Sequence, residues 1–181
     1  MKNKTWIILL IVALMGIFTM NKYNGLVNAE ESVNSKWAQV ENNLQRRADL
    51  IPNLVSTVKG FAKQEEDVLK GIVEARSGYE NAKSPGEYEA AESKLKTAIN
   101  VVVEAYPELK SDKNFVALQD ELAGTENRLA VARKDYNEEV EIFNKYIRKF
   151  PNNIFAKILG SDKKGYFQVD DNSKIAPKVT F

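Results

Sequence analysis

The chain has 181 residues, of which 44% are hydrophobic, with 26 Lys or Arg against 25 Asp or Glu and neither cysteine nor histidine. Those two absences exclude disulfides, thiol nucleophiles, zinc-thiolate and HExxH sites, Ser-His-Asp triads and the Glu-x-x-His di-iron site of helical bundles. Lys2, Lys4 and Lys22 flank the first apolar stretch, and taking them from the 26 leaves 23 basic against 25 acidic residues, too even a balance for a nucleic-acid face.

Residues Thr5 to Asn21, TWIILLIVALMGIFTMN, carry no charge and lie between Lys4 and Lys22. As a helix they span about 25 Å, slightly short of a ~30 Å hydrocarbon core, and lysine snorkelling covers the difference. This predicts a transmembrane anchor over residues 5–22, preceded by a short flank at 1–4. A cleaved signal peptide is the rival reading, with Val27-Asn28-Ala29 as the cleavage site. That site lies about ten residues beyond the apolar run, too far for ordinary processing, which favours a retained anchor. Positive charge before the span favours an inside N-terminus, so the body is expected outside the cytoplasm, on a bacterial cytoplasmic (inner) membrane crossed once.

From Val33 the apolar positions step by four and three: Val33, Trp37, Val40, Leu44, Ile51, Leu54, Val58, Phe61, Val68, Ile72, Ala75, Tyr79. This coiled-coil-like seam predicts one helical stretch over roughly 30–83, with Arg47 and Glu65 placing charge on the seam itself. Within it, Pro52 forfeits the hydrogen bond to the Ala48 carbonyl and clashes with it, costing about 3 kcal/mol unless the helix kinks or restarts. Asp49 would cap a restarted helix. The unbroken register from Leu44 to Ile51 to Leu54, with no glycine to turn the chain, predicts instead a kink near Pro52.

A second helix is marked by Pro85 in its first turn and by Tyr88, Ala91, Leu95, Ala98 or Ile99, and Val102, ending at Tyr106-Pro107. A third follows through Phe115, Leu118, Leu122, Leu129, Ala132, Tyr136, Val140, Phe143 and Ile147, stopping before Phe150-Pro151. The short second helix cannot cover the long first stretch. Either the chain doubles back near Pro52, giving four helices, or part of the seam projects and needs another chain or the membrane. The fold class is therefore all-α: an N-terminal transmembrane helix, then an antiparallel bundle of three to four long helices over 23–150. The tail, 151–181, holds one amphipathic turn, Ile154 to Leu159, and enough apolar residues (Phe155, Tyr166, Phe167) to pack on the bundle.

In this order, YNGLV at 23–27, WAQVENNLQRRADLIPNLVSTVKG at 37–60, AYPELKSDKNF at 105–115, LAGTENRLAVARKDYNEEV at 122–140 and the terminal APKVTF make a specific pattern. It resembles the LemA family of bacterial membrane-anchored proteins over almost the whole chain. Lys63-Gln64-Glu65 departs from the His-Glu pair of many relatives. The resemblance implies one transmembrane helix followed by a helical bundle, with no established enzymatic activity. Some relatives are associated with building magnetosome membranes, which implies a part in membrane organisation.

Two polar concentrations are the candidate structural or interaction residues. In the first, Arg46 is expected to pair with Asp49, while Arg47, on the seam, needs a carboxylate from another helix, Glu121 or Glu126; Pro52 completes this group. In the second, Glu126, Asn127, Arg128, Arg133, Tyr136 and Asn137 cannot share one helix face. A buried network would take Glu126, Arg133 and Tyr136 or Asn137 and leave the rest wet. Glu65-Glu66-Asp67, Glu138-Glu139-Glu141 and Asp170-Asp171 read as solvated charges without metal-site spacing. No catalytic, cofactor or metal residue is expected. The function read from the chain is a non-enzymatic membrane-anchored scaffold or adaptor. It would contact the bilayer through residues 5–22 and a protein partner, or another copy, along the seam. The alternatives are a membrane-remodelling coat or a carboxylate- or metal-dependent enzyme.

Overall fold

The computed structural model describes residues 2–61 and 66–168, with side chains left out at 2–4 and 66–69. Five α-helices occupy them: α1 Lys2–Lys59, α2 Glu66–Asn81, α3 Pro85–Ala105, α4 Lys113–Arg148 and α5 Asn152–Leu159, with a 3₁₀ turn at Pro107–Ser111. There is no strand among the described residues. The chain divides into two compact units, one of Met1–Trp37 with Tyr136–Lys164, the other of Ala38–Asp135 with Gly165–Phe181.

In the second unit four helical segments form an antiparallel bundle. Arg47 of α1 reaches Glu92 of α3 and Glu126 of α4, and Tyr79 of α2 reaches the same Glu92. Tyr79 is thus back at the level of Arg47, so α2 runs back along α1. The α2–α3 hairpin closes through small residues. A β-carbon on Gly78 would meet that of Ala91 at 3.0 Å, and one on Gly71 would meet that of Ala98 at 3.4 Å.

Helix α1 runs through Pro52, and the turn lies further on, at Gly60–Phe61. This corrects the single helical stretch expected over 30–83. Both legs of the hairpin face one core, so the four-and-three step continues across the reversal and conceals it. Past the proline, Ser56 Oγ donates to the Pro52 carbonyl at 2.9 Å and Thr57 Oγ1 to that of Asn53 at 3.0 Å. Glu65, its neighbours Lys63 and Gln64, Asp170-Asp171 and the APKVTF ending lie outside the described residues, as do the side chains of Glu66 and Asp67.

The core holds the predicted seam. Val40, Leu44, Ile51, Leu54 and Val58 from α1, Ile72, Ala75 and Tyr79 from α2, Tyr88, Ala91, Leu95 and Val102 from α3, and Phe115, Leu122, Leu129 and Ala132 from α4 are buried. Thr125 fills the seam position between Leu122 and Leu129 and donates its hydroxyl to the Leu122 carbonyl at 2.7 Å. Helix α3 starts with a capping box: Glu87 N–H donates to Ser84 Oγ, and Glu87 Oε2 accepts from the Lys83 and Ser84 amides at 2.6 and 3.1 Å. Asp112 begins α4 by accepting the Phe115 amide at 2.9 Å.

In the first unit α1 and α4 are again antiparallel. Trp37 packs on Tyr136 with ring centroids 5.2 Å apart, and Tyr146 lies against Gly25. Leu26, Val33, Val140, Phe143 and Ile147 are buried here. From Trp6 to Met20, by contrast, the large apolar side chains of α1 are 49–73% exposed, an apolar surface facing outward all round the helix. Among the described residues α1 is the one helix long and apolar enough to cross a membrane. The expected tail helix is present as α5, and it ends at Gly160 in the left-handed conformation, φ 68°. Of its bulky residues Phe155 is half-buried, and beyond the helix Phe167 is buried. Asn152 and Ala156 are buried, whereas Ile154, Ile158 and Leu159 are exposed.

Candidate functional site

The second unit's most organised polar feature grows out of the one charge on the α1 seam. Heptad spacing puts Arg47 between Leu44 and Ile51, inside the bundle, where its side chain is 8% exposed. Desolvating a guanidinium is costly unless carboxylates and carbonyls surround it. Three groups do so: Nη2 lies 2.5 Å from Glu92 Oε1, Nη1 donates to the Leu122 carbonyl at 3.2 Å, and Glu126 Oε2 approaches Nη1 at 2.8 Å. That last contact is an ion pair by distance without hydrogen-bond alignment, since Nη1 is aimed at the carbonyl. Arg47 Nε is buried and makes no hydrogen bond.

Glu92 is the hub. Its Oε1 takes Arg47 and its Oε2 takes the Tyr79 hydroxyl. Burial pushes the Glu92 carboxyl above its usual range; Arg47 and the Tyr79 hydrogen bond pull the other way, Glu126 adds to the rise and Arg133 opposes it. Tyr79 is pushed far up, first by burial and then by the negative charge of Glu92. Both carboxylate oxygens are therefore engaged by protein groups. As a chemical device the cluster is a locked polar joint among four helical segments, without a free nucleophile or base.

The sequence candidates separate around this joint. Of the two carboxylates expected for Arg47, Glu126 is its partner and Glu121 is exposed. Arg46 and Asp49 are both exposed, and Asp49 accepts from Gln45 at 2.8 Å, one full turn away, where Arg46 was the expected partner. Pro52 is half-buried. Arg133 is half-buried too and stacks over the Phe167 ring, 5.2 Å from its centroid, its Nε and Nη2 buried without hydrogen bonds. In the other unit Tyr136 is buried on Trp37 and Asn137 is half-buried. Asn127 and Arg128 are exposed. With Gln39, Asn43, Val131 and Asp135 they line a shallow open groove along α1 and α4.

Glu92 was not anticipated, and Tyr79 was expected on the seam but not as a hydrogen-bond donor to a buried carboxylate. Glu92 directly follows seam residue Ala91, and the signal for it was the unmet demand of Arg47 for a second carboxylate. Sequence spacing offers Arg47 the carboxylates of α4 and does not show that α3 lies against it as well. Among the described residues no group of acidic side chains could hold a metal ion.

The LemA family model matches residues 36–181. The chain belongs to the LemA family. It is similar to Magnetosome protein MamQ 2 and Magnetosome protein MamQ 1 of Paramagnetospirillum magneticum, each 27% identical over 204 residues, covering 95% of this chain and 75% of the relative. It is also similar to Protein LemA of Metamycoplasma hominis, 23% identical over 180 residues, covering 96% of this chain and 82% of the relative. This LemA-family chain is thus a membrane-associated family protein, and its apolar N-terminal helix fits a single pass through a membrane.

Proposed function

We propose that this LemA-family protein is a non-enzymatic scaffold or adaptor of the bacterial cell envelope. Residues 5–22 cross the cytoplasmic membrane once, and the helical body, on the extracytoplasmic side, binds a protein partner. One observation carries the reading: α1 joins an apolar, outward-facing segment to a bundle in which, among the described residues, the deeply placed Arg47 and Glu92 pair with each other. A chain with such an interior has its recognition chemistry on its surface. Most of the described seam positions are buried within the chain, so partner contact falls to other faces. The groove of Gln39, Asn43, Asn127, Arg128, Val131 and Asp135 is the favoured one, combining amides and charges with Val131, 62% exposed. Relatives named as magnetosome proteins support work at a membrane.

The test is photo-crosslinking in living cells from a residue introduced at Arg128, with one at Glu74 as control. A discrete heteromeric adduct at position 128 is expected, and recovery of monomer alone from intact membranes would overturn the proposal. The second reading, a self-assembling or membrane-remodelling coat, draws on Val73 and Val101, both exposed, the latter lining an open groove with Gly71 and Ala98. It predicts adducts between copies from position 74 instead. Protease digestion of the body in spheroplasts, against protection in inverted vesicles with the same topology reversed, reports the side of the membrane.

A further inference from the structure

Helix α5 turns two of its large aliphatic side chains outward. Asn152 and Ala156 are buried and Phe155 beside them is half-buried, while Ile154 and Ile158, about 200° around the axis from Asn152 and Ala156, are exposed. Ile158 is 74% and Ile154 49% exposed, and Phe150, just before the helix, is 81% exposed. Next to the two isoleucines runs a polar strip of Asn153 and Lys157, both exposed.

The location of this helix within the first unit selects its occupant. Asn152 Nδ2 donates to the Tyr146 carbonyl at 3.2 Å, and the Tyr146 side chain lies against Gly25 of α1. Gly25 stands about 6 Å along α1 from Asn21, the last residue of the uncharged run. The chain after α5 is tied to the same level: Asn144 exchanges two 3.0 Å hydrogen bonds with the Lys164 backbone, and Lys164 Nζ reaches Glu30 at 2.7 Å. Helix α5 therefore sits where α1 leaves its apolar run. Between Ile142 and Ser161 the chain carries Lys145, Arg148, Lys149 and Lys157 and no acidic residue, and among the described residues only Lys145 of these has an acidic partner, Glu141.

We propose that Phe150 and α5 form an interfacial foot that lies in the surface of the same bilayer α1 crosses. The outward apolar strip enters the boundary between headgroups and acyl chains, and Arg148, Lys149 and Lys157 face anionic headgroups. This rests on the reading of residues 5–22 as a membrane span. The pairing of an apolar strip with a one-signed rim at the exit of the span is what a lipid surface requires, and a second protein copy would not need that one-signed rim. Two attachments, one crossing and one lying flat, fix the angle at which the first unit leaves the membrane.

The chain has no cysteine, so single substitutions label cleanly with an environment-sensitive fluorophore. Full-length protein carrying Ile158→Cys, Leu10→Cys or Val131→Cys is placed in vesicles of mixed anionic and zwitterionic lipid, some bearing a nitroxide on the acyl chain at a shallow or deep position. The expected result is blue-shifted emission at 158, quenched more by the shallow nitroxide, at a depth of about 5–10 Å. The label at 10 is quenched more by the deep one, and that at 131 by neither. Lys157→Glu with Lys149→Glu should shift the emission at 158 back to the red in anionic vesicles. Quenching at 10 without quenching at 158 overturns the foot and leaves the span intact, whereas no quenching at either overturns both. A blue shift at 158 without lipid quenching means that protein covers the strip, and also overturns the proposal.

Discussion

Replacing Arg47 with methionine tests the joint directly. With charge centres about 4 Å apart, the Arg47–Glu92 attraction at an effective dielectric of about 20 is about 4 kcal/mol. Removing each ion from water costs several kcal/mol, so the intact pair is close to neutral for stability. Its destruction is not, because the Glu92 side chain is 14% exposed and would keep only the Tyr79 hydroxyl. Losing one partner of such a pair costs about 3–5 kcal/mol. Glu126, 44% exposed, escapes to solvent, and the Leu122 carbonyl keeps the Thr125 hydroxyl. The penalty must depend on pH. Glu92 already has its carboxyl raised by burial, and removing Arg47 raises it further. An acid whose folded value exceeds its unfolded one stabilises the fold below the unfolded value, and that stability is lost as pH rises. The deficit of Arg47→Met is thus largest near neutrality and shrinks in acid. Adding Glu92→Gln removes the stranded charge, leaves an acceptor for Tyr79, and should recover most of the loss. Denaturant unfolding of the full chain in detergent, followed by circular dichroism across pH, reads all of this. A pH-independent deficit, or a double variant no better than the single, would refute the argument.

Other substitutions probe separate features. Gly78→Leu drives a side chain into Ala91, costs about 1–3 kcal/mol by overpacking, and pushes α2 from α3; an unchanged denaturation midpoint would contradict the close approach. Leu95→Ala, at a position with no exposure, should cost about 2–5 kcal/mol in the same assay. Ser84→Ala removes one half of the α3 cap for about 1 kcal/mol. Glu87, its other half, has its carboxyl held below the usual range by the Lys83 amide and then by Ser84. Its contribution is therefore present above the ordinary carboxylate value and fades as pH falls, so the gap between wild type and Glu87→Gln in thermal melts should narrow in acid.

What the sequence discloses depends on how local the physics is. Helices α3 and α4 were legible to within a few residues because their signals are adjacent in the chain: Pro85 and Ser84 at one start, Tyr106-Pro107 at one end, and apolar spacing from Phe115 to Ile147 interrupted by Thr125. The turn after α1 was not, although Gly60 stands at it. Periodicity reports which face is buried and is silent on whether the chain has reversed direction between two turns. Pro52 is the more conspicuous helix breaker in the sequence, yet α1 continues through it. The outward strip of α5 was equally hidden, because an amphipathic pattern gives the apolar face but not the medium that covers it.

The same reasoning explains why a charge occupies a core position at all. Heptad seams built from Leu, Ile, Val and Ala leave neighbouring helices able to slide by a turn with little change in buried area. Arg47 removes that freedom, since only one register brings Glu92, Glu126 and the Leu122 carbonyl to its guanidinium while giving Glu92 the Tyr79 hydroxyl. A slip in any of the four segments leaves a buried charge without its partner, at a cost comparable to the whole effect of Arg47→Met. Register in the second unit is thus set by the polar joint, and stability by the apolar positions around it. The apolar triple replacement Arg47→Met, Glu92→Leu and Tyr79→Phe, which leaves no stranded hydroxyl, separates the two: it should keep the unfolding midpoint and broaden the transition, as helices held by packing alone sample more than one alignment.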